Sequence, residues 1–180
     1  MRISFEGNIA SGKSVQIKNF GGILEPIDDW PLELFYSDPN RWGLVLQLSI
    51  LKGFHEIKKG IIERSPDSSL EVFWNLLEHT PDEDKVYRFV HDKLGWKPDA
   101  IVYIRTPPEV CFNRLQTRGQ TGDSKVTLKY LQDIHERYEK YIRTKSNVLV
   151  VDGLETPPRI TEKINSFIHS NDMLDLSRRT

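Results

Sequence analysis

Lys13 and Ser14 close the run Gly7-Asn8-Ile9-Ala10-Ser11-Gly12-Lys13-Ser14, which fits G-x-x-x-x-G-K-[ST] at every fixed position. Each residue type has a physical role. Glycines let backbone N–H groups turn toward phosphate oxygens. A helix opening at the end of the run aims its N-terminus at the same anion. The lysine reaches β- and γ-phosphates, and the serine hydroxyl serves Mg²⁺. A chance match in a chain of this size is on the order of 1%. The whole run, Gly7 to Ser14, is therefore read as a nucleoside-triphosphate site. No N-K-x-D motif follows, which argues against a guanine-reading switch.

Charged residues at the ends of apolar runs narrow the chemistry. Gly22-Ile23-Leu24-Glu25 and Gly60-Ile61-Ile62-Glu63 both read as strands ending in a carboxylate, and Arg64 follows the second. Ligands of open α/β sheets bind beyond the carboxyl ends of strands. Glu25, Glu63 and Arg64 are thus expected on the same rim as the phosphate loop. One carboxylate there can take a proton from an attacking hydroxyl. A second can hold Mg²⁺. An arginine can neutralise charge on transferred oxygens. Arg114 and Arg118 lie four apart, hence on one helix face, just before the loop Gly119–Lys125. This placement suggests a lid, at about residues 114–126, closing over phosphates.

The elements that must position these groups alternate along the chain. Strands are expected at Ile3–Phe5, Gly22–Glu25, Gly60–Glu63, Ala100–Ile104 and Asn147–Asp152. Helices are expected at Ser14–Phe20, Asn40–Gly60, Ser69–Glu78, Asp82–Leu94, Pro108–Arg118, Leu128–Arg143 and Pro157–His169. Such alternation implies an α/β fold, a three-layer sandwich around a five-stranded parallel sheet. With 180 residues, one domain over 1–170 is expected, followed by a loose polar tail over 171–180.

Composition excludes several classes. The net charge of −1 gives no global attraction to nucleic acid. No run is long and apolar enough to span a membrane, and no signal or transit segment is evident, so a soluble cytoplasmic protein is expected. The single cysteine, Cys111, permits no internal disulfide. His55, His79, His91, His135 and His169 lack metal-ligand spacing and are read as structural or surface residues.

Taken together, the motifs resemble the deoxyribonucleoside kinases over about residues 2–152. The resemblance rests on Glu6 to Ser14, Glu25-Pro26 with Trp30, Tyr36-Ser37-Asp38-Pro39-Asn40-Arg41-Trp42 with Gln47, and Glu63-Arg64-Ser65. It implies a P-loop fold and transfer of the γ-phosphoryl of ATP to a deoxynucleoside 5′-hydroxyl, with Mg²⁺. It implies Glu25 as general base and Arg64 as its partner at the hydroxyl. Ser14 and Glu63 would organise Mg²⁺. Tyr36 and Asp123 would meet the 3′-hydroxyl, and Gln47 would read the base. Trp30 and Phe73 would wall the base, and the loop starting at Asp152 would meet adenine. A homodimer is implied by resemblance alone.

Some positions depart from the family pattern. Ala10 stands where glycine is usual, and Gln120 replaces a lid arginine, a loss that Lys125 could offset. Ser69 is small and neutral where some members carry aspartate, which favours thymidine and deoxycytidine. The segment from Trp30 to Tyr36 is short. Two other readings stay open: a thymidylate-type monophosphate kinase, and a catalytically weak nucleotide-binding regulatory module.

Overall fold

The structure, a computed structural model, describes the backbone of residues 1–120 and 122–177, with side chains described through 171. Its centre is a four-stranded parallel sheet in the order β2-β1-β3-β4. The strands are β1 (Arg2–Glu6), β2 (Gly60–Glu63), β3 (Ala100–Arg105) and β4 (Val148–Asp152). β1 sits between β2, in register Phe5 to Glu63, and β3, in register Glu6 to Tyr103. Four strands rather than five corrects the expectation. Gly22–Glu25 contributes only an isolated bridge at Ile23, whose N–H and C=O bond Ile61 O and Glu63 N, each at 2.8 Å. Pro26 cannot donate to a ladder, and the chain turns away there into a short 3₁₀ turn. Glu25 still leaves the sheet edge beside Glu63.

Helices α1 (Lys13–Asn19), α2 (Leu32–Ser37), α3 (Pro39–His55), α4 (Pro66–Ser68) and α5 (Pro81–Leu94) precede β3. After it come α6 (Pro108–Arg118), α7 (Leu128–Arg143) and α8 (Pro157–Ser177). Caps set several starts: Asp38, Thr80 and Thr127 accept from backbone N–H groups of the first turns of α3, α5 and α7. The helix expected over Ser69–Glu78 is instead α4 running on through a wide π turn, Ser69–Phe73, into a 3₁₀ turn ending at Leu76. The last helix runs past His169 to Ser177, so residues 171–177 are helical where a loose tail was expected, and 178–180 lie outside the described residues.

Strand alternation sends side chains to two faces. Ile3 and Phe5 of β1 pack with Val102 and Ile104 of β3 against Ile17 of α1 and Ile160 and Ile164 of α8. The other face carries Ile101 and Tyr103 against Ile134, Tyr138 and Tyr141 of α7 and Val72 of the π turn. The result is three layers. α2, α3 and β2 close one flank through Phe35, Leu46, Ile50, Phe54 and Ile62. Among the described residues, no helix is long and apolar enough to cross a membrane.

Candidate active site

Lys13 opens α1 directly behind the phosphate loop, and distant residues hold that loop in shape. Asn8 Nδ2 donates to Leu131 O at 2.8 Å, and Thr106 Oγ1 donates to Ser11 O at 3.0 Å. Arg114 Nη1 donates to the same Ser11 carbonyl at 3.1 Å, while its Nη2 donates to Gly153 O at 3.1 Å. Gly7 has φ 144, and a Cβ there would sit 2.6 Å from Ile104 O, so only glycine fits. Lys13 Nζ is buried and donates to the carbonyls of Gly7 and Asn8 at 3.1 and 2.7 Å. Burial lowers its pKa to about 8, helped by the Arg64 charge and opposed by Glu63 and Glu25.

Ala10 holds φ 60 within this loop. A left-handed conformation costs a non-glycine residue about 1–2 kcal/mol, and glycine's extra chain freedom offsets part of that gain. Ala10→Gly should raise stability by about 0.5–1 kcal/mol. A urea midpoint that falls in the variant would contradict this.

A cavity of about 630 Å³ runs from the loop to α3. It is lined by Ile9 to Ser14, Glu25, Trp30, Tyr36, Gln47, Glu63, Arg64, Ser69, Phe73, Arg114, Arg118 and Asp123, so nearly every candidate residue is brought together. Gly7 and Asn8 shape the loop from behind. Asp152 itself is not part of the lining, although the loop it opens is. Its carboxylate caps its own turn by accepting from Leu154 N at 2.9 Å, and Gly153 and Glu155 line the cavity in its place.

Ser14 Oγ donates to Glu63 Oε1 at 2.9 Å. A hydroxyl and a carboxylate in contact beside the phosphate loop form a hard oxygen pair, which suits Mg²⁺. Glu25 and Arg64 form a buried ion pair through Arg64 Nη1. Burial raises the Glu25 carboxyl to about 7, with Glu63 adding to the rise and Arg64 opposing it. Arg64 lies over the Phe73 ring, 4.9 Å from its centroid. Its backbone is left-handed, φ 60, and its N–H bonds Phe5 O at 3.0 Å.

Gln47 is 3% exposed, and its Oε1 has no hydrogen-bond partner among the described residues. Buried polar atoms are usually paired, so an unpaired carbonyl facing a cavity is suited to a ligand donor. At the lid, Arg118 grips Asp123 with two bonds, 2.6 and 3.0 Å, and Gln120 N donates to the same carboxylate at 2.9 Å. Gly122 lies flush against Tyr36, where a Cβ would come within 2.7 Å of the ring. Gln120 lines the cavity, whereas Lys125 is exposed and outside the lining, so Lys125 does not stand in for the missing arginine here. Tyr130 and Leu46 also line the cavity. Tyr130 was visible in Leu128-Lys129-Tyr130-Leu131, but nothing local marked it as facing a ligand.

Comparisons with known proteins bear on the family and the fold. The chain is 32% identical to protein 029R of Invertebrate iridescent virus 3 over 168 residues, covering 84% of this chain and 87% of that one. It is 29% identical to the thymidine kinase of Ictalurid herpesvirus 1 (strain Auburn), covering 88% and 82%. It is 32% identical to mitochondrial thymidine kinase 2 of Homo sapiens, covering 78% of this chain but only 63% of that relative. In fold it matches a deoxyadenosine kinase from M. mycoides with TM-score 0.78 and 20% identity, covering 94% of this chain and 99% of that one. The family model described as "Deoxynucleoside kinase" matches residues 3–173. That span contains every element walling the cavity, and the chain belongs to the deoxynucleoside kinase family.

Proposed function

We propose that this kinase transfers the γ-phosphoryl of ATP to the 5′-hydroxyl of thymidine or deoxycytidine. The observation that carries the acceptor choice is the buried, unpartnered Gln47 carbonyl, in one cavity with Glu25 and Phe73. A glutamine amide offers one donor and one acceptor, which can match either pyrimidine edge. Ser69 is small and lines the same cavity, leaving room for a thymine methyl. Phe73 and Trp30 supply flat walls that hold a base without choosing it.

The chain's own groups then divide the reaction. Glu25, poised near neutrality, accepts the proton of the attacking hydroxyl. Arg64 holds Glu25 and the hydroxyl oxygen in one place. Lys13 and the loop N–H groups hold the triphosphate. Arg114 fixes the loop against the Gly153 turn, and Arg118 neutralises charge after leaving Asp123. Ser14 and Glu63 would hold Mg²⁺, which would supply neutralisation of the triphosphate charge. Catalysis is positioning and charge neutralisation.

The test is ATP-dependent phosphorylation of thymidine, deoxycytidine, deoxyadenosine, deoxyguanosine and dTMP. Product from a pyrimidine deoxynucleoside supports the reading. Product from dTMP alone would instead establish a monophosphate kinase, and ATP binding without any product a regulatory module. A homodimer and a cytoplasmic location complete the proposal. A single-chain mass of 21.0 kDa in sedimentation would overturn the dimer, and fractionation tests the location.

Gln47→Met should raise the KM for the nucleoside about 10- to 100-fold, because base pairing is lost. If KM stays level, Gln47 does not read the base.

A further inference from the structure

Arg118 ends α6, and Gly119 turns the chain there in a left-handed conformation, φ 64. Asp123, the first residue of a short 3₁₀ turn, comes back to meet the guanidinium. Its Oδ1 accepts from Arg118 Nη2 at 2.6 Å. Its Oδ2 accepts from both Arg118 Nε and Gln120 N, at 3.0 and 2.9 Å. The carboxylate side chain is 9% exposed. Both residues line the cavity that also holds Lys13 and Glu25. The cation is therefore in the cavity, but its charge is already matched by a partner. A guanidinium held this way cannot at the same time serve developing charge on a phosphate.

Releasing Arg118 is unfavourable in a way that names its remedy. Without the guanidinium, the buried Asp123 carboxylate keeps only the Gln120 N–H, and a buried charge that loses its partner is costly. A new donor at Asp123 lowers that cost. Gly122, the residue before Asp123, lies against Tyr36 of α2, whose ring carbon Cζ is 3.6 Å from the Cβ position of Gly122. Tyr36 and Asp123 thus share one part of the cavity wall. A deoxynucleoside with its base at Gln47 and its 5′-hydroxyl at Glu25 has one hydroxyl left to donate, the 3′.

We propose that Asp123 is a positioning residue that withholds Arg118 until a deoxynucleoside 3′-hydroxyl arrives. The inference rests on the reading of the cavity as a deoxynucleoside kinase site. The hydroxyl donates to Asp123, replaces part of what the guanidinium supplied, and frees Arg118 for the triphosphate. Without a nucleoside, Lys13 and Glu25 are in place but Arg118 is not. Water near the γ-phosphorus then lacks one stabilising charge, and ATP is protected from hydrolysis while no acceptor is bound. No covalent bond changes at Asp123 or Arg118, which only exchange hydrogen-bond partners.

The test uses the full chain with Mg²⁺ and ATP, and reads the inorganic phosphate released when water takes the place of the acceptor hydroxyl. The probe is the 5′-deoxy form of the best substrate, which keeps the 3′-hydroxyl but has no 5′-hydroxyl to phosphorylate. It should raise phosphate release by wild type about tenfold, less than the roughly 10²- to 10³-fold effect of a fully placed donor. The 3′,5′-dideoxy form, at a saturating concentration, should leave release unchanged. Asp123→Asn should release phosphate about tenfold faster than wild type with no nucleoside present, because the charge-assisted grip is gone. Arg118→Met in the same chain should remove that gain. Equal stimulation by the two analogues overturns the inference, since occupancy of the base site alone would then free Arg118. So does a wild type that phosphorylates its deoxynucleoside but is not stimulated by the 5′-deoxy form, whether or not Asp123→Asn folds. A wild type that phosphorylates no deoxynucleoside overturns the kinase reading itself, and this inference with it.

Discussion

Glu25→Gln should lower deoxynucleoside turnover by about 10³-fold, within the range for loss of a general base, while ATP binding should stay within about twofold. The amide preserves size and can still meet Arg64, but it cannot take a proton. The pH profile gives an independent reading. Burial sets the Glu25 carboxyl near 7 rather than in the ordinary carboxylate range. A general base acts in its ionised form, so under the proposed role kcat/KM should rise with pH and level off above about 7. Glu25→Gln should abolish that acid limb in whatever activity remains. A variant that keeps both turnover and the limb would assign the base elsewhere.

Lys13→Met is expected to cost about 10³-fold in turnover, the scale of removing a preorganised charge from the reacting phosphates. Unlike the Glu25 change, it should also weaken ATP binding. Lys13 fits among the carbonyls of Gly7 and Asn8 as a compact ammonium, so Lys13→Arg should not restore activity. The proposed role needs the protonated amine, whose pKa is lowered to about 8, chiefly by burial. In the free enzyme kcat/KM should therefore fall as pH rises through about 8. Bound triphosphate favours the charged amine, which moves the alkaline limb of kcat to higher pH. Equal alkaline limbs in wild type and Lys13→Met would remove Lys13 from this role.

Much of the site was readable because its determinants are local. The spacing from Gly7 to Ser14 dictates a phosphate loop whatever surrounds it. Glu63 and Arg64 follow an apolar run that did become a strand. Glu25 shows the limit of such reasoning. Gly22–Glu25 has strand-like residues, but strand formation needs continuous partners, and Ile23 alone finds them before Pro26. The carboxylate still reached the site, because the edge of β2 delivers it without a fifth strand. The π turn at Ser69–Phe73 was not readable from periodicity, since an α-helical repeat drifts only slightly over five residues. Its presence beside ligand-facing residues is typical of such turns. Resemblance placed the loop opened by Asp152 at the nucleotide; Gly153 and Glu155 of that loop line the cavity, while the aspartate itself caps the turn. Gln47 was legible through the motif that runs from Tyr36 to Gln47, but the burial of its carbonyl without a partner depends on packing, which no motif reveals.

The tethers of the phosphate loop bear on how the protein is made. The loop is synthesised well before the residue that anchors it, since Asn8 is tied to Leu131, 123 positions later. β1, which leads into the loop, pairs with β2 and β3, whose first partners are Gly60 and Ala100. Contacts closing such long intervals form late. A nascent chain therefore carries the complete motif long before it can grip a nucleotide. Translation arrested before Leu131 should yield chains that are retained poorly on immobilised ATP, whereas arrest after α8, behind a linker that clears the tunnel, should permit capture.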